Sequence, residues 1–108
     1  MKTAQEFAAD LQNRMDQSRD VKGKPEVMER MIRNNGGDAV KVAKKMVLQS
    51  ELHEGCLRMI RLGHERLTLE ATILDYPELF TAEELACAQW RLEAARKVAF
   101  DYESITTA

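Results

Sequence analysis

The amino-acid sequence predicts an all-α protein, a compact bundle of about five to six short helices with a longer C-terminal helix. Three observations predict it. Apolar residues recur three and four positions apart through most of the chain, the spacing that lines one face of a helix. Hydroxyl or carboxylate residues stand just ahead of these periodic runs, where helix caps belong. The two prolines and five glycines fall between the runs, with Gly55 as the exception. A length of 108 residues fits one domain and is too short for two independent cores, so residues 1–108 are expected to form a single unit.

Thr3-Ala4-Gln5-Glu6 has the form of a capping box, in which a hydroxyl takes a free backbone N–H and a carboxylate reaches back. It opens a helix predicted over 3–18, with Phe7, Leu11 and Met15 as its apolar stripe and Ala4 and Ala8 beside it. Gly23 and Pro25 separate this from a second helix over 25–35, whose face is Val27, Met28, Met31 and Ile32 and which Gly36-Gly37 stops. Asp38 is placed to cap a third helix over 39–49, with Val40, Ala43, Met46 and Val47 facing inward. Ser50 is placed to cap a fourth over 51–62, where Leu52, Cys56, Met59 and Ile60 keep the spacing up to Gly63. Helices joined so closely are expected to fold against each other.

Residues 67–74 alternate and carry β-branched side chains, which fits a strand as well as a helix. A lone strand has nothing to pair with, so a helix over 69–75 capped by Thr68 is preferred. Tyr76-Pro77-Glu78-Leu79-Phe80 ends it and offers three large apolar groups as a plug for the core. Thr81-Ala82-Glu83-Glu84 is a second capping box. It opens the longest helix, over 82–101, with Leu85, Ala88, Leu92, Ala95 and Ala99 on one stripe; the polar tail beyond Tyr102 is expected to fray.

Composition narrows the function classes. With 44% hydrophobic and 31% charged residues, the chain has enough apolar surface to fold and too many charges to enter a bilayer. No apolar run approaches the roughly 20 residues that a membrane span needs. The amino terminus reaches Glu6 and Asp10 without an apolar stretch, so no secretory signal is expected and the cytoplasm is the predicted location. Cys56 and Cys87 are then expected to be free thiols in helices. A net charge of −2 provides no global basic field for nucleic acid. The charge is uneven all the same: residues 21–49 hold seven basic and three acidic side chains, net +4, and residues 65–85 hold one basic and six acidic, net −5.

Residues that carry chemistry are few. His53-Glu54 and His64-Glu65 resemble the start of a zinc-protease motif, but Leu57 and Thr68 stand where its second histidine belongs. His53 and Cys56 are half of a metal site without a second close pair. No serine sits in a nucleophile elbow, and Asn35-Gly36-Gly37-Asp38 reads as a helix stop followed by a helix cap rather than a phosphate loop. The expectation is therefore a non-enzymatic chain with no catalytic residue, no metal and no cofactor.

The function expected is that of a helical protein-interaction module whose partner is another protein or a second copy of itself, a homodimer. Six methionines and the single tryptophan point to it, because such side chains serve adaptable interfaces as well as irregular cores. Trp90 lies off the Leu85–Leu92 stripe, and Trp90, Met28 and Met31 are the candidate interface residues. The alternative is a nucleic-acid-binding regulator with a helix-turn-helix-like segment at 38–62, contacting phosphates through Lys41, Lys44, Lys45, Arg58 and Arg61. Its would-be reading helix carries Glu51 and Glu54 beside the two arginines, a mixed set unlike that of a groove reader.

Leu67-Thr68-Leu69-Glu70-Ala71, then Leu79-Phe80-Thr81-Ala82-Glu83-Glu84 and Arg91-Leu92, resemble a small bacterial helical domain family of unassigned function. That family's pattern is Leu-Thr-x-Glu-Ala followed by Leu-Phe-Thr-x-Glu-Glu at the start of a final helix. The similarity covers about Met28 to Lys97 and is moderately specific. The chain departs from the pattern at Met59-Ile60, where an aromatic is usual, and by one extra residue after Gly63. The resemblance implies a helical fold with Thr81 as a cap, and it transfers no catalytic residue.

Overall fold

Capping chemistry decides where this chain becomes helical. In the computed structural model, which describes residues 2–49 and 54–107 with side chains as far as Ala99, the Thr3 hydroxyl accepts the Glu6 N–H at 3.1 Å. Asp38 accepts from Lys41 N–H at 3.0 Å, Thr68 from Ala71 N–H at 3.1 Å, and Thr81 from Glu84 N–H at 3.1 Å. Each oxygen satisfies a donor that the first helical turn leaves without a partner. The helices that follow are α1 (Ala4–Asp20), α2 (Glu26–Asn34), α3 (Ala39–Val47), α4 (Glu54–Arg61), α5 (Leu69–Leu74) and α6 (Ala82–Thr107). No strand occurs among the described residues, and 67–74, which fitted either form, is the helix that Thr68 caps.

Several boundaries differ from the expected ones for local reasons. α1 continues past Ser18 to Asp20 because its stop is a left-handed residue further on, Lys22 with φ 69°, after which Gly23 N–H bonds the Ser18 carbonyl at 2.6 Å. Short 3-10 turns at Glu65–Leu67 and Pro77–Leu79 lead into and out of α5. The backbone of α6 stays helical to Thr107, beyond the expected end near 101. Ser50, Leu52 and His53, expected as a cap, a core residue and half of a metal pair, lie outside the described residues.

The core forms where these stripes meet. Phe7, Leu11 and Met15 of α1 pack with Val42, Ala43, Met46 and Val47 of α3, Ile73 of α5 and Ala88 of α6. Val42 takes the inward place expected of Val40, which is half-buried. The Tyr76–Phe80 segment plugs one side, as its composition predicted. Phe7 meets the Tyr76 ring at 5.4 Å and the Phe80 ring at 5.3 Å, both edge to face, an arrangement favoured by the ring quadrupoles. A smaller cluster of Cys56, Leu92 and Ala95 joins α4 to α6. α4 rests mainly on α6, and α3 mainly on α1, so α3 and α4 do not make the two-helix unit that their short joint suggested.

Polar contacts fix how α1 sits on α5. Arg14 donates to Asp10 at 2.9 Å, to Asp75 at 2.6 Å and to Thr72 at 3.2 Å. The Tyr76 hydroxyl donates to Asp10 at 2.9 Å. These bonds hold the one arginine that reaches from α1 across to α5 and the turn after it.

Candidate interaction face

α6 buries one side and leaves the other open. Ala88, Arg91, Leu92, Ala95 and Ala99 face the interior, while Trp90 is 55% exposed. Ala86, Trp90, Ala94 and Val98 follow one another at four-residue steps and so share a stripe. Ala86 and Val98 are exposed and Ala94 is half-buried, so the stripe is apolar at each of its four positions, with the indole at the second. Exposed single apolar residues are ordinary on a protein surface; a run of them that includes tryptophan has the composition of an interface hot spot. Glu83, Glu93 and Lys97 frame it with charge and are exposed.

The other two candidate interface residues are placed differently. Met28 and Met31 are half-buried on α2 and pack against the main core, and α2 rests mainly on α3. They are therefore not brought together with Trp90. The exposed apolar residue of α2 is Val27.

The candidate nucleic-acid contacts also separate. Lys41 and Lys45 are exposed on α3. Lys44 is committed inward: its Nζ lies 2.8 Å from Glu84 Oε1 and 5.3 Å from the centre of the Phe80 ring. Burial opposes ionisation of Glu84, but hydrogen bonds from Lys44 and Thr81 outweigh it and hold the carboxyl below its usual range. Arg58 is half-buried, with its guanidinium 3.7 Å from Glu54, and Arg61 is exposed on the same helix.

A cleft of about 340 Å³ opens beside α1, α2, α4 and the start of α5. Met15, Met28, Met46 and Met59 contribute to its walls, together with Leu11 and Leu69. Cys56 and Glu70 also line it. Burial first, then the neighbouring Glu70 carboxylate, pushes the Cys56 thiol far up, so at neutral pH it is a protonated, inert group rather than a nucleophile. Glu70 is 3% exposed and Arg91 1% exposed; Arg91 Nε stands 3.6 Å from the Glu70 carboxylate, and its Nη2 donates to the Met46 carbonyl at 3.0 Å. The charge beneath the cleft is thus matched from within the protein.

No protein-family profile matches the chain, and comparison with curated proteins and with solved structures found no match. The reading of the surface rests on its own chemistry.

His64 is half-buried ahead of the first 3-10 turn, with its backbone N–H bonded to the Met59 carbonyl at 2.8 Å. No group of three or more His, Cys, Asp or Glu side chains is placed to hold a metal ion among the described residues. No helix of the described residues is long and apolar enough to cross a membrane. Sequence reasoning missed the buried Arg91–Glu70 pair. The available signal was position: Arg91 is three residues after Ala88 and four before Ala95, inside the buried stripe rather than beside it.

Proposed function

We propose that this chain is a non-enzymatic helical protein-interaction module of the cytoplasm, which binds through the Trp90 face of α6. One observation carries the reading: the only tryptophan is held 55% exposed within an apolar stripe. A large, rigid aromatic side chain contributes much contact area at little conformational cost, which is why tryptophan dominates interface energetics. The free thiols of Cys56 and Cys87 fit a reducing compartment. The nucleic-acid alternative has less support, since Lys44 is tied to Glu84 and the net charge is negative.

Capture from a lysate of the native host tests this, with the wild-type chain and Trp90→Glu as paired baits. Proteins retained by the wild type and lost with the variant are expected. Identical captured sets would count against the face.

A further inference from the structure

The exposed side of α6 is arranged symmetrically about Trp90. Ala86 and Ala94 stand four residues before and after it, and Glu83 and Lys97 seven residues before and after. Seven residues bring a helix back to nearly the same face, with a drift of only ~20°. Glu83, Ala86, Trp90 and Lys97 are all exposed, and neither Glu83 nor Lys97 has an ion-pair partner among the described residues. At these positions the face reads Glu, Ala, Trp, Ala, Lys, with opposite charges seven residues either side of the indole, while Glu93 stands at its flank and Val98 just beyond Lys97.

We propose that the occupant of this face is a second copy of the chain, its α6 running antiparallel across the first with the twofold axis at Trp90. This rests on the reading of the Trp90 face as an interaction surface and names its partner. In an antiparallel pair centred on Trp90, Glu83 of one copy comes opposite Lys97 of the other, and the contact occurs twice. A parallel pair sets Glu83 against Glu83 and Lys97 against Lys97, which repels at both ends. Charge thus selects the antiparallel arrangement. The same register sets the two indoles against each other on the axis and Ala86 of one copy opposite Ala94 of the other, so small residues flank the paired rings on either side. The contact is isologous, the form that closes as a dimer instead of growing into a filament.

The face from Glu83 to Lys97 is about 21 Å long at 1.5 Å per residue, short beside the ~800 Å² per partner of a standard interface. A dimer that forms at high concentration and dissociates on dilution is expected. Sedimentation velocity on the purified full chain, from micromolar to millimolar, is the test. Glu83→Lys alone and Lys97→Glu alone each weaken dimerisation about tenfold, because two attractive contacts become repulsive. The double variant restores it to within about threefold of wild type. Trp90→Ala weakens it at least about thirtyfold. Far-ultraviolet dichroism on each variant guards against loss of fold, and Lys97→Glu lies clear of the capped first turn of α6.

A strict monomer over the whole range overturns the pairing, as does a dimer indifferent to the single charge reversals or one that the double variant fails to restore. Monomeric behaviour together with Trp90-dependent capture of another protein removes only the self-pairing. A dimer unaffected by Trp90→Ala, with capture equally unaffected by Trp90→Glu, removes the interaction face as well.

Discussion

Lys22 is the one non-glycine residue with positive φ among those described, at 69°. An L-residue in the left-handed region carries a steric cost that glycine does not, offset in part by the larger entropy glycine loses on folding. Lys22→Gly is accordingly expected to stabilise the chain by about 0.5–1 kcal/mol in urea unfolding. The neighbouring position responds in the opposite direction. A Cβ on Gly23 would sit 2.8 Å from the Ser18 carbonyl oxygen, so Gly23→Ala forces the turn apart and destabilises. Deeper in the fold, Arg91→Leu leaves the buried Glu70 carboxylate without its cation and should cost about 3–5 kcal/mol, much of it recovered by Glu70→Leu in the same chain. If the loss in the double variant equals the sum of the losses in the two single variants, the two groups are not coupled. Neither feature was legible in the sequence. The α1 stop depends on a backbone angle that lysine does not advertise, and the buried pair is hidden by side-chain types that usually face water.

Helix starts were the most legible elements, because a cap is a contact between residues three apart. Thr3, Asp38, Thr68 and Thr81 all bond where their spacing predicted. Chain ends and short 3-10 turns were less so, since they depend on what packs around them. The orientation of α3 against α4 is a long-range outcome, and a short joint does not determine it. Two of these junctions also set the acid response. Burial disfavours the charged form of Asp10, but bonds from Arg14 and Tyr76 overcome it; Glu84 is held likewise by Lys44 and Thr81. Both carboxyls therefore lose protons more readily in the folded chain than in the unfolded one, where they titrate near pH 4. Between the two values the unfolded state binds more protons, so stability rises with pH there. The contribution is complete above the unfolded pKa and disappears as pH falls through the folded one. Glu84→Gln should flatten this acid limb in denaturant titrations run at a series of pH values; an unchanged limb means that the Lys44–Glu84 junction carries none of it.

At the scale of the molecule, α6 has two roles written on its two sides. Its buried stripe gathers α3, α4 and α5, and its outer stripe ends in charges of opposite sign about one indole. The sequence set Trp90 apart from the buried stripe correctly, while its grouping with Met28 and Met31 followed residue type and not position, since those two belong to α2 and the core. Trp90 is also the only tryptophan beside two tyrosines, so fluorescence excited at the red edge, where only indole absorbs, reports on this face. The most direct measurement is the emission maximum and acrylamide quenching of Trp90 as the purified chain is concentrated. Red-shifted, readily quenched emission at high dilution, moving to the blue and becoming protected as concentration rises, is the predicted result. Emission already blue and shielded at the lowest concentration, or unchanged at every concentration and with every captured protein added, would contradict it.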